Sequence, residues 1–166
     1  MHHDRLLVRL SKLMAPAGYS ALALEPVDNA PSLYNDIKGA ADAGDRDACV
    51  KLGRVHEGGW LGRRPEPAVA YRYYLIAALD EHAEAQYRLG IMAWNGLVEQ
   101  PDPVAAWMWL RLAAKNGSSD AANVCDAASA GFSQRDWGTA EAMLAHWPRI
   151  KASDGRLVHF YRGLLQ

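Results

Sequence analysis

The sequence predicts an all-α fold, a short solenoid of stacked helix pairs. Three features of the chain point there. A block of 36–37 residues recurs. Apolar residues inside the block fall at three- and four-residue spacing, as on one face of a helix. Glycines and prolines stand where such helices must stop and start.

The recurrence is the strongest of the three, since an internal repeat decides the architecture before any local detail. DACVKLGRVHEGG (47–59) realigns on EAQYRLGIMAWNG (84–96) at a shift of 37, which pairs Ala48 with Ala85, Leu52 with Leu89, Gly53 with Gly90 and Gly59 with Gly96. AYRYYLIAA (70–78) realigns on AWMWLRLAA (106–114) at a shift of 36, which pairs Ala70 with Ala106, Tyr73 with Trp109, and Ala77-Ala78 with Ala113-Ala114. The single-residue difference falls in the loop between Gly59 and Pro67, where insertions are tolerated. A half-copy ending in Ala40-Ala41-Asp42-Ala43-Gly44 precedes these blocks. A degenerate copy follows, with Ala121, Ala122, Cys125 and Gly131, and then a short helix from Trp137 to Trp147.

Each half-block reads as one helix. Ala85, Leu89 and Met92 form one stripe, and Trp109, Leu110, Ala113 and Ala114 another. Pro67 and Pro103 suit the first turn of a second helix, where a missing N–H costs nothing. Asp102 is placed to cap the helix it precedes. Gly44 and Gly117 stand at C-terminal ends, and Gly58-Gly59 and Asn95-Gly96 end the first helix of each pair. Small residues such as Gly53 and Gly90 let helix axes approach, and Leu89, Tyr73 and Trp109 fill the remaining space. A single pair cannot bury its own apolar face, so neighbours stack.

These residues resemble the Sel-one-like repeat, a relative of the tetratricopeptide repeat. Its pattern is approximately A-x-x-x-L-G-x-x-Y-x-x-G, a loop, then A-x-x-W-x-x-x-A-A-x-x-G. The second copy carries Ala85, Leu89, Gly90, Gly96, Ala106, Trp109, Ala113, Ala114 and Gly117, and the first carries Ala48, Leu52, Gly53, Gly59, Ala70, Tyr73, Ala77 and Ala78. The resemblance covers 33–147. It departs at His56 and Ala93, which replace the tyrosine, and at Leu79-Asp80-Glu81, which replaces a glycine ending. It implies a right-handed superhelix and a non-enzymatic adaptor or scaffold, of the sort found in bacterial signalling, secretion and envelope assembly. Some relatives neutralise toxic effectors, so an immunity-type protein is the alternative. An enzyme or metal-dependent regulator is a more distant one.

Composition sets further bounds. Half of the 166 residues are hydrophobic, 22% are charged and the formal net charge is -1. That balance gives no broad pull toward nucleic acid or an anionic membrane. Cys49 and Cys125 lack metal or disulfide-framework spacing and read as buried thiols. The apolar run near the N-terminus is broken by Arg5, Arg9 and Lys12, and no stretch approaches a membrane span. A cytoplasmic protein without stable membrane insertion is therefore expected. His82, His146 and His159 show no ligand spacing, and there is no P-loop, dinucleotide fingerprint, HExxH or GxSxG. No cofactor, metal or catalytic residue is expected.

The domain reading has three parts. Residues 1–32 form an N-terminal amphipathic helix, with Leu6, Leu7, Leu10, Leu13 and Met14 on one face, and a linker marked by Pro16, Pro26 and Pro31. That helix either caps the first repeat or docks on a partner or membrane surface. Residues 33–147 form the repeat domain and 148–166 a tail. The terminal helices also offer a route to a homo-oligomer.

The expected partner is a protein or peptide held on the concave face, which the first helix of each pair lines. The non-motif positions there are Asp47, Lys51, Arg54 and Glu57 in one copy, and Glu84, Arg88, Ile91, Trp94 and Asn95 in the next. Lys51 and Arg88 share a repeat position, roughly 10 Å apart, and could hold carboxylates of an acidic peptide. The other reading is a solvated face with Asp47–Lys51 and Glu84–Arg88 paired at i,i+4. The loop 58–67 adds Trp60, Arg63 and Arg64, residue types enriched in binding hot spots. Alternatively, Trp60 tucks between helix pairs. His56 reads as a packing residue in a tyrosine slot, because its neighbour Glu57 points about 100° away on a helix.

Overall fold

A computed structural model describes residues 29–153 of the chain. Among them lie seven helices and no strand: α1 (Ala30–Asp42), α2 (Arg46–Gly58), α3 (Pro67–Leu79), α4 (Ala83–Asn95), α5 (Pro103–Lys115), α6 (Ser119–Ser129) and α7 (Gln134–Ser153). Each helix from α1 to α5 packs on the next one in the chain, and α6 packs on α5. The last helix packs back on α5. This is a helical solenoid.

Helix starts follow the repeat. Asp45, His82 and Ser118 occupy equivalent positions and cap α2, α4 and α6, each accepting from a backbone N–H three residues on. Such a cap is worth about 1 kcal/mol for Ser or Asp. Pro67 and Pro103 open α3 and α5, and Asp102 accepts from Val104 and Ala105. Gly59 and Gly96 end α2 and α4 at φ of 70° and 63°. A β-carbon there would strike Pro65 or Pro101 as well as strain the backbone. The α1 helix begins at Ala30, inside the stretch read as linker, because Pro31 suits its first turn. The α7 helix begins at Gln134 and runs past Trp147 to Ser153, into the stretch read as tail. The expected N-terminal amphipathic helix and the part of the tail after Ser153 lie outside the described residues.

The core runs the length of the stack. The motif residues Ala48, Leu52, Ala70, Tyr73, Ala77, Ala85, Leu89, Ala106, Trp109 and Ala113 are all buried. Each leucine contributes about 2 kcal/mol by leaving water. Tyr74 lies over Gly53, and Leu110 over Gly90. Gln86 is fully buried and satisfied, donating to the Ala78 carbonyl at 3.1 Å and accepting from Asn116 at 2.8 Å. It ties the C-terminal ends of α3 and α5 to α4. Trp147 on α7 meets Trp109 edge-on at 4.8 Å, and Trp107, Phe132 and Trp137 close the far end as an aromatic group.

Candidate protein-binding face

Side chains bridge α2 and α4, and α6 lies against α4 beyond them. At the N-terminal ends, His82 Nε2 and Asp47 Oδ1 are hydrogen-bonded at 2.9 Å. Because His82 Nδ1 accepts from Ala85 N–H, the Nε2 proton is the one that bonds Asp47. Two turns further along α2, Arg54 pairs with Glu84. The Glu84 carboxylate also lies 3.6 Å from Arg88, whose other nitrogen lies 3.8 Å from Glu57. Tyr74 donates to Glu57 at 2.6 Å. Arg54, Glu84, Arg88 and Glu57 therefore alternate in sign across the α2–α4 junction.

This network corrects one expectation. Arg88 is 7% exposed and engaged on both sides, so it does not present a free guanidinium. Lys51, at the same repeat position, is exposed and has no ion pair among the described residues. The difference has a structural cause. Arg88 is flanked by the acidic residues of α2 and α4, whereas α2 has no first-type helix before it among the described residues. The expected Asp47–Lys51 pair is replaced by Asp47–His82, while Glu84–Arg88 does form.

Beyond the charges the face turns apolar. Tyr87, Ile91 and Trp94 follow each other at i, i+4 and i+7 on α4. The Tyr87 and Trp94 rings are half-buried, in a helix whose motif residues are fully covered. Burial, and then the nearby Asp120 on α6, push the Tyr87 phenol above its ordinary pKa. Tyr87 was not among the residues singled out from sequence, although its spacing to Ile91 and Trp94 carries the pattern.

Of the two readings of the loop after α2, the structure turns the tryptophan inward. Trp60 is half-buried and folds over Gly58, where a β-carbon would stand 2.6 Å from the indole. Arg63 lies over the Tyr34 ring at 3.9 Å, a cation–π contact. Arg64 is exposed. Beneath this loop, His56 is buried between two tyrosines. It stacks on Tyr73 at 5.7 Å and is hydrogen-bonded through Nε2 to the Tyr34 hydroxyl at 3.1 Å. Glu57 turns away from it toward Tyr74, so the adjacent acid and histidine do not form a pair.

Among the described residues, no group of three or more His, Cys, Asp or Glu is placed to hold a metal ion. No described helix is long and apolar enough to cross a membrane.

A family model, the Sel1 repeat, matches residues 46–82 and 83–118. The chain carries two Sel1 repeats. Their boundaries coincide with α2–α3 and α4–α5. Sel1 repeats generally mediate protein–protein interaction, and their helical fold is typically a non-enzymatic module. In this chain the matched Ala48, Leu52, Tyr73, Ala85, Leu89 and Trp109 are buried, whereas the matched Gly59, Gly96 and Gly117 end helices at positive φ.

Proposed function

We propose that the protein is a cytoplasmic adaptor that holds one protein partner on the face lined by α2, α4 and α6, the concave side of its Sel1 solenoid. The observation that carries this reading is the Tyr87–Ile91–Trp94 stripe. Tyrosine and tryptophan rings left partly open beside an alternating charge network have the make-up of an interface centre with a polar rim. Lys51 adds the exposed cation of that rim, with Arg54 and Glu57 behind it. Arg64 extends the polar edge. Two buried cysteines that form no disulfide fit a reducing compartment.

Affinity capture of the tagged full chain from its native cells tests this, with partners identified by mass spectrometry. A second bait carries Tyr87→Ala and Trp94→Ala. One stoichiometric partner, lost from the second bait while its helical content is kept, is the expected result. A partner retained equally by both baits removes the face from consideration.

A further inference from the structure

The α2–α4 and α4–α6 junctions share an acid and differ in its cation. Glu84, in the first turn of α4, meets Arg54 of α2 and Arg88 of its own helix. Its equivalent one repeat later is Asp120, in the first turn of α6, 36 positions on. There the residue that corresponds to Arg54 is Ile91, and the one that corresponds to Arg88 is Val124. Both are buried, in one apolar cluster with Cys125 and Ala128. The start of a helix favours an anion, which accounts for an acid in each first turn. Only at α6 have both of the cations that meet it become apolar. Asp120 is exposed and has no ion pair among the described residues.

Around this carboxylate the surface is aromatic and acidic. Tyr87 and Trp94 pack against the same apolar cluster and stay half-buried. Asp120 stands close enough to the Tyr87 phenol to raise its pKa, second to burial. In the loop after Trp94, Leu97 and Val98 are each 42% exposed. The stretches 83–102 and 119–129 carry five acidic residues, Glu84, Glu99, Asp102, Asp120 and Asp126, and one basic residue, Arg88. Arg88 is already engaged by Glu57 and Glu84. A protein seated on this part of the face therefore has to bring the positive charge itself.

We infer that the α4–α6 part of the face takes a basic segment of a partner protein, in which a lysine or arginine stands beside apolar residues. The incoming cation fills at this junction the role that Arg54 has at the preceding one. It pairs with Asp120 and lies against the Tyr87 ring, and its apolar neighbours cover Trp94. The sign is opposite to that of the acidic peptide expected from Lys51 and Arg88, because Arg88 is held inside the α2–α4 network. The inference deepens the protein-binding reading and rests on it, by giving the chemistry of the bound segment.

Random dodecamers displayed on phage test it, selected on the full chain after depletion on the Tyr87→Ala, Trp94→Ala chain. The selected sequences should carry an excess of Lys and Arg over Asp and Glu. A synthetic peptide of the selected sequence is then titrated by fluorescence anisotropy. Asp120→Lys should weaken its binding about tenfold and Asp120→Asn about threefold, with the helical content kept. Asp36→Lys makes the same change of net charge at an exposed position of α1. It should alter binding by less than about twofold, since exposed charges further apart than a Debye length are screened. A neutral or acidic consensus, or no enrichment, overturns the inference. Equal weakening by Asp36→Lys and Asp120→Lys also overturns it, since general charge attraction then accounts for the binding. If the selection fails but a captured partner still depends on Tyr87 and Trp94, the basic segment falls and the wider reading stands.

Discussion

The junction between α2 and α4 is held by charges, and the corresponding junction between α4 and α6 by apolar groups, although the same repeat positions build both. Arg54 and Glu57 become Ile91 and Trp94 one repeat later. Glu84 and Arg88 become Asp120 and Val124. Motif residues keep the helices in register on both sides, so the intervening positions are free to change chemistry. A repeat can therefore be stable for one reason at one end and another at the other.

The two repeats also differ in how closely their helices approach, and the largest effect is expected there. A β-carbon on Gly53 would stand 2.3 Å from the Tyr74 ring, which is completely buried. On Gly90 it would stand 2.8 Å from Leu110. Leucine can change rotamer, whereas the ring of Tyr74 is held by its hydroxyl on Glu57. Gly53→Ala should cost about 3 kcal/mol and Gly90→Ala about 1 kcal/mol by urea unfolding, after the helical preference for alanine is included. Equal losses would mean that both repeats are packed equally tightly.

The next comparison sets Arg88 against Lys51. Replacing Arg88 by Met leaves Glu57 and Glu84 facing each other with one cation fewer, in a partly buried place. The expected loss is about 2 kcal/mol, below the range for a fully buried pair because Glu84 is partly exposed. Lys51→Met should change stability by less than about 0.5 kcal/mol. A double-mutant cycle of Arg88 with Glu57 should show coupling, and independence of the two would remove the network as a source of cohesion.

The first repeat carries His56 where the second has Ala93, so the histidine part of the acid response should come from the first repeat. Burial holds the His56 imidazole below its ordinary value of 6.5, with Arg63 acting the same way and Glu66 opposing. Its Nδ1 has no hydrogen-bond partner, and the Glu66 carboxylate is 3.6 Å off. The other groups around the ring are Tyr34 from α1 and Tyr73 from α3, with Asp42 and Cys49 beside Tyr73. In the folded chain this burial favours the neutral ring. The unfolded chain takes up the proton first as pH falls below 6.5, so stability drops from there down to the folded value and is unaffected above. The expected loss sets in below pH 6.5 and levels off once pH passes the lowered folded value. His56→Tyr should remove this component of the pH dependence. An unchanged acid slope in that variant would assign it to carboxylates instead.

The repeat, the helix pairs and the packing role of His56 were legible because each rests on local spacing. Helix starts could be read from Pro67, Pro103 and Asp102, whose preference is set by the backbone beside them. The state of Arg88 could not be read in the same way. Its burial depends on Glu57, which is 31 positions away and reaches it only once α2 and α4 stand side by side. For Trp60 the glycine-rich loop left an exposed and a tucked placement open, and the loop folds the indole over Gly58 and Arg63 over the Tyr34 ring. Tyr87 was legible by its spacing to Ile91 and Trp94, but a half-open ring differs from a core ring only once its neighbours are placed.

The smallest effect concerns how the repeats end. Gly44 and Gly117 close α1 and α5 at φ of 101° and 102°, while the equivalent residue after α3 is Glu81, at φ of 64°. A side chain in the left-handed region costs about 1 kcal/mol, and glycine returns part of that gain through its freer unfolded chain. Glu81→Gly should therefore raise stability by roughly 0.5 kcal/mol, read as a rise of one to three degrees in Tm. Gly117→Glu should lower it by a similar or larger amount. If Glu81→Gly destabilises the protein instead, the glutamate side chain contributes more than its backbone costs, and the first repeat ends on a side-chain contact where its neighbours end on glycine.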